Sequence, residues 1–230
     1  MLKRIIIFLT NNNWLMQSAF LLISLLSCIL YVWGTGKKPT GLLVYLVWIA
    51  VIGTLSYIGF FQNTSSLPPR MLLVILPAVI FVTYAYKNTV TGALSYPFLL
   101  GIHILRIPVE LSLYSLFLNG QVPEAMTFQG WNFDILMGVS AVLMLIVFFV
   151  KNTVILSSLF LWWNRIGILF LAIIVLTAIL AAPSPLQVFG LEQPNVAILK
   201  FPYTLLPALV VPLVLLSHLL CLKAAKRGGD

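Results

Sequence analysis

Long apolar runs alternate with short polar interruptions along this chain, and the runs set its plan. Seven apolar stretches can be drawn, at about Trp14 to Gly34, Gly41 to Phe61, Met71 to Tyr86, Ala93 to Asn119, Asn132 to Val150, Ser157 to Ala181 and Tyr203 to Leu222. Stretches of about 20 residues, at 1.5 Å per residue, match the ~30 Å hydrocarbon core of a bilayer. They are continuous instead of alternating, so helices are expected and a barrel is not. The pattern predicts an all-α fold, a polytopic transmembrane bundle of seven helices forming one domain over residues 1–230. The third stretch is the shortest and holds Pro77, so a kink is expected there. Tight connections separate most stretches. Two longer linkers run from Gly120 to Trp131 and from Ala182 to Pro202.

The fourth stretch departs from the apolar rule. Its centre reads His103, Ile104, Leu105, Arg106, Ile107, Pro108, Val109, Glu110. At about 100° per residue, Tyr96, His103, Arg106, Glu110 and Tyr114 fall within an arc of roughly 80°. An ionisable side chain left facing lipid costs between ~3 and well over 10 kcal/mol, so this face turns inward and marks a candidate site. Pro108 has no N–H for the carbonyl of Ile104, which predicts a kink that water, a ligand or Arg165 could fill. Arg106 and Glu110 read either as a ligand site or as a structural ion pair that fastens the helix to its neighbours.

Other polar positions extend this picture. Trp162, Trp163, Asn164 and Arg165 open the sixth stretch, and Arg165 reaches either inward towards Glu110 or back to the headgroups beside the tryptophans. His103 and His218 are the two histidines of the chain. They read as histidines hydrogen-bonded within a polar cluster or facing the interface, with bis-imidazole haem ligation or a quinone redox role as a weaker alternative, since by helical depth His103 lies about two turns from His218. In the linker before the fifth stretch, Asp134 reads as a cap of that helix, or Asn132 and Asp134 belong to a lid hinged at Gly120 and Gly130.

Composition agrees with the hydropathy pattern. Hydrophobic residues make up 61% of the 230 positions and charged residues 8%, with a mean hydropathy of +1.10, which excludes a water-soluble globule. The net charge of +8 is scattered in ones and twos between apolar stretches, a pattern of topology control and anionic headgroups and not of nucleic-acid binding. Lys37, Lys38, Lys87, Lys151, Lys223, Lys226 and Arg227 share one face of a seven-span plan, against Lys3, Arg4, Arg70 and Lys200 on the other. The larger set is expected to be cytoplasmic, with the N-terminus outside and the C-terminus in the cytoplasm. Cys28 and Cys221 have no metal or redox spacing and read as small buried hydrophobes. The start, Met1 to Leu9, mimics a signal peptide without a cleavage site and is expected to be a retained interfacial helix. Lys-Asn-Thr-Val occurs at Lys87 and again at Lys151, a spacing that fits either a duplicated helix pair or coincidence.

Catalytic signatures are missing: there is no GxSxG, HExxH, GxxxxGK[ST] or GxGxxG, and no lysine midway along the seventh stretch. The run Arg106-Ile-Pro-Val-Glu110, the run Met126-Thr-Phe-Gln-Gly-Trp-Asn-Phe-Asp-Ile135, and Phe201-Pro-Tyr followed by Leu206-Pro resemble a family of seven-helix bacterial inner-membrane proteins. The resemblance implies a bacterial inner-membrane location and carries no activity or functional residues with it.

The expected function is binding or transport of a small anionic solute in a cavity lined by His103, Arg106, Glu110, Tyr114 and Arg165. Two arginines against one carboxylate leave such a cavity positive. The alternative is a non-catalytic sensor or partner subunit whose buried charges are structural, engaging another protein or a second copy. No resident cofactor or metal is expected, and the lipid bilayer is the expected partner.

Overall fold

The computed structural model describes residues 13–36, 40–65, 68–151 and 158–227. Among these residues the regular structure is helical, with no strand: α1 (Asn13–Gly34), α2 (Thr40–Tyr57), α3 (Leu72–Asn88), α4 (Tyr96–Ile104), α5 (Arg106–Leu118), α6 (Asp134–Val150), α7 (Ser158–Ala181) and α8 (Val211–Arg227). α4 and α5 form one 23-residue helix interrupted at Leu105. Together with α1, α7 and the stretch Leu206–Ala225, it gives four helices long and apolar enough to cross a membrane. The apolar helices Leu42–Tyr57, Leu72–Asn88 and Asp134–Val150 are shorter. Each expected stretch therefore holds a helix, with its ends moved by a few residues. The expected interfacial helix at Met1 to Leu9, the Lys37-Lys38-Pro39 connection and most of the second Lys-Asn-Thr-Val copy lie outside the described residues.

Prolines shape the helices that carry the polar groups. The ring of Pro108 crowds the Ile104 carbonyl and offers it no donor, and the helix breaks at Leu105. Leu105 N–H still donates to the Gly101 carbonyl, and Val109 N–H to the Leu105 carbonyl, each at 3.3 Å, so the backbone stays hydrogen-bonded through the break. Pro212 acts similarly in the first turn of α8. The chain widens into a π-type turn over Leu206–Val210, and the Ala208 carbonyl, which Pro212 cannot reach with an N–H, receives the Trp48 indole N–H at 3.0 Å.

α8 is the hub of the bundle. α3, α4 and α7 pack along it, and α4 also packs against α1 and α6. Leu205, Leu213, Leu216 and Leu220 are fully buried on this axis, while Val47, Ile80, Leu143 and Leu169 on the outer helix faces are exposed. Cys28 and Cys221 are buried free thiols, as expected.

α6 does not run the length of α4 and α5. Its Phe148 lies beside Tyr96 at a ring separation of 6.4 Å, and its first residue, Asp134, is level with Arg106. From Arg106, α5 rises about 18 Å further to Leu118. The linker takes the place of α6 along this part. Val122, Met126, Thr127 and Asn132 of the linker are buried, and Gln193 Nε2 ties the linker to α5 by donating to the Val122 carbonyl at 2.5 Å and to the Phe117 carbonyl at 2.8 Å. The expected hinge at Gly130 is a close contact: a Cβ there would lie 2.5 Å from the Glu124 carbonyl oxygen and 2.6 Å from Ala125 Cα.

Candidate functional site

The break at Leu105 delivers Arg106 into the centre of the bundle, 3% exposed. Its Nη2 donates to Asp134 Oδ1 at 2.5 Å, and its Nη1 lies 3.2 Å from His218 Nε2. A guanidinium only donates, so His218 Nε2 accepts and the ring proton sits on Nδ1. His218 Nδ1 then donates to Asn164 Oδ1 at 2.9 Å, and Asn164 Nδ2 donates to the Phe160 carbonyl at 2.8 Å. This directional chain ties α6 to α5, α5 to α8 and α8 to α7. Two glycines make it reachable. A Cβ on Gly138 would lie 2.7 Å from Ile107 Cγ1, so α6 approaches α5 closely, and a Cβ on Gly167 would collide with Cε1 and Nε2 of His218.

Glu110, one turn further along α5, has a different partner. Both of its carboxyl oxygens lie 2.7 Å from Asn132 Nδ2, which also reaches the Met126 carbonyl at 3.1 Å. Asn132 Oδ1 accepts the Asp134 backbone N–H at 3.1 Å. Asn132 thus supplies the capping contact expected of Asp134, whose carboxylate is turned to Arg106. Both residues were candidates for a lid, and both are built into the cluster beneath it.

His103 completes the cluster from α4. Its ring stacks on His218 with centroids 3.9 Å apart and planes 30° from parallel. Trp163 stands edge-on to both rings at 5.2 and 5.3 Å and is held by its indole N–H, which donates to Ser140 Oγ at 2.9 Å. His103 is 1% exposed, yet neither ring nitrogen has a hydrogen-bond partner among the described residues, and Arg106 Nε has none either.

The structure brings together His103, Arg106 and Glu110 of the expected set and leaves two residues out. Arg165 is exposed, its guanidinium 4.8 Å from the Trp162 ring, so it points outward beside the tryptophan and not inward towards Glu110. Tyr114 is half-buried and stacks on Phe128 at 4.8 Å. Arg106 and Glu110 do not pair with each other: the ion pair is Arg106 with Asp134. The charge count changes accordingly. One guanidinium faces two carboxyls, which removes the positive balance that favoured an anion.

The stacked histidines do not fit haem ligation. Two axial imidazoles point nitrogens at one iron from opposite sides of a porphyrin. Here the rings meet face to face at 3.9 Å, and both nitrogens of His218 are engaged by Arg106 and Asn164. No group of three or more His, Cys, Asp or Glu suited to a metal ion occurs among the described residues. Comparison of the chain with protein-family profiles, curated proteins and solved structures returns no match.

Proposed function

We propose that this chain is an integral membrane protein that crosses the bilayer seven times and binds or transports a small solute, with proton exchange at Glu110 and His103 as the step its polar centre performs. The reading places it in a bacterial inner membrane with its C-terminus cytoplasmic. The observation that carries it is His103, a buried imidazole with two unpartnered nitrogens, stacked on a second imidazole that is fully engaged. Buried polar groups are normally satisfied, and unsatisfied ones concentrate where a protein has work to do. Glu110 adds a carboxyl whose partner is an amide and not a cation. Two discontinuities meet at this level, the break at Leu105 and the start of α6, and broken helices at mid-bilayer are a recurring feature of transporter sites.

One observation favours a second reading. Arg106 is held from two sides, by Asp134 and by His218, which suits a structural lock joining four helices in a sensor or partner subunit. Proteoliposomes loaded with a pH-sensitive dye and energised by a potassium diffusion potential separate the two. Proton exchange requires flux above that of empty vesicles, lost in Glu110→Gln and His103→Phe and retained in Arg165→Gln. Flux equal to that of empty vesicles, or flux indifferent to both substitutions, would sink the exchange reading and leave the lock.

A further inference from the structure

We infer that the gap between α3 and α7 is a lateral binding site for the hydrocarbon chain of a lipid-soluble molecule that enters from within the bilayer. α3 and α7 both lean on α8, and a cavity of about 350 Å³ lies between them, backed by the π-type turn at Leu206–Val210. That volume is within the usual range of small-molecule pockets. Among the described residues no charged side chain lines it. The polar side chains among its lining residues are Thr83, Asn195 and Tyr203.

The position of the mouth decides the class of occupant. Val79 and Thr83 on one lip and Ala172 on the other line the cavity and are exposed. Val79 and Ala172 fall in the middle third of their helices, Val79 about 10 Å from the start of α3, and Thr83 lies one turn beyond Val79. In a spanning bundle that level is hydrocarbon, so the opening meets lipid tails and not water. An apolar chain loses nothing by moving from lipid into apolar walls. The chemistry of the lining admits no charged group.

The inner end of the cavity meets the polar cluster. Leu113, Ile168 and Leu215 line the cavity, within one helical turn of Glu110, Gly167 and His218 respectively. A bound chain would press on three of the helices that hold the cluster together. This inference rests on the membrane-spanning reading and is independent of proton exchange.

The probe is a long-chain alcohol bearing a diazirine, photolysed with the protein in lipid nanodiscs and mapped by peptide mass spectrometry. Labelling is expected to concentrate on Val79, Thr83, Ala172 and Leu215. It should fall about tenfold when Ala172→Phe or Val79→Trp fills either lip. Both positions are exposed, so the variants should melt like the parent, and the wild-type labelling map decides even if one does not. Labelling spread evenly over exposed apolar residues such as Leu143 and Val150 would overturn the site. Alkaline carbonate extraction tests the spanning reading separately: release of the chain from membranes would refute that reading, whereas retention with even labelling refutes the lateral site alone.

Discussion

Arg106 and Asp134 form a buried pair whose worth can be measured apart from any ligand. Arg106→Met removes the guanidinium, strands the Asp134 carboxylate beside Glu110, and leaves His218 Nε2 without its donor. Asp134→Asn keeps the shape but leaves the guanidinium without a counter-charge. Breaking a buried pair from one side costs about 3–5 kcal/mol, so each single substitution should fall in that range. The double variant carries neither stranded charge. What remains is the lost donor to His218, about 1–3 kcal/mol. The singles would sum to roughly 6–10 kcal/mol against that smaller cost, a coupling of at least about 3 kcal/mol. Reversible unfolding in mixed micelles, followed by tryptophan fluorescence, gives these differences directly. In melting temperature each single should lose roughly 6–20 °C for a chain of this size. Costs that simply add to within about 0.5 kcal/mol would mean that the two groups do not act as a pair, and the chain from Asp134 to Asn164 would lose its first link.

Two further substitutions test the packing around this chain. Gly167→Ala sets a methyl group against the His218 ring and 2.8 Å from Met137 Cε, and should destabilise by about 1–3 kcal/mol, with a change in near-UV circular dichroism from the adjacent Trp163. A parent-like melt and spectrum would show that His218 is not confined there. Trp48→Phe removes the donor to the Ala208 carbonyl, and a loss of about 1–3 kcal/mol is expected in the same unfolding assay. The Pro212→Ala background offers that carbonyl a backbone N–H, so the loss should shrink there; an equal loss in both backgrounds would refute the account of the bend before α8.

The expected seven stretches and the polar face of the fourth were legible in the pattern, because hydropathy and the helical repeat are local properties. The break came three residues before Pro108, as its clash with the Ile104 carbonyl requires. The partners of the polar face were not legible, since they come from other helices and depend on which faces meet. Arg165 attracted attention as a charge, yet its neighbour Asn164 makes the contact. One residue turns a helix by about 100°, and Asn164 shares its inward stripe with Gly167 and Leu171. The glycine was the available signal, for it marks the side where another group comes close. His218 read as a member of a polar cluster, an interfacial group or a haem ligand, and nothing in the chain announces that Arg106 is the group it meets. Asn132 and Asp134 were noticed but assigned to a loop, since a linker between two apolar stretches is by default an outer one.

The late start of α6 has a practical consequence for mapping the topology of this chain. Epitope tags and reporter fusions are customarily placed in inter-helix connections on the assumption that these hang free. Between Gly120 and Phe133 the connection serves as part of the wall, and a tag inserted beside Gly130 would pry Asn132 from Glu110 and report a collapsed protein as an inaccessible loop. The exposed turn at Leu186 is a better place for the reporter than the segment that follows it, where Phe189 packs on Trp131 and Gln193 donates to the Val122 carbonyl.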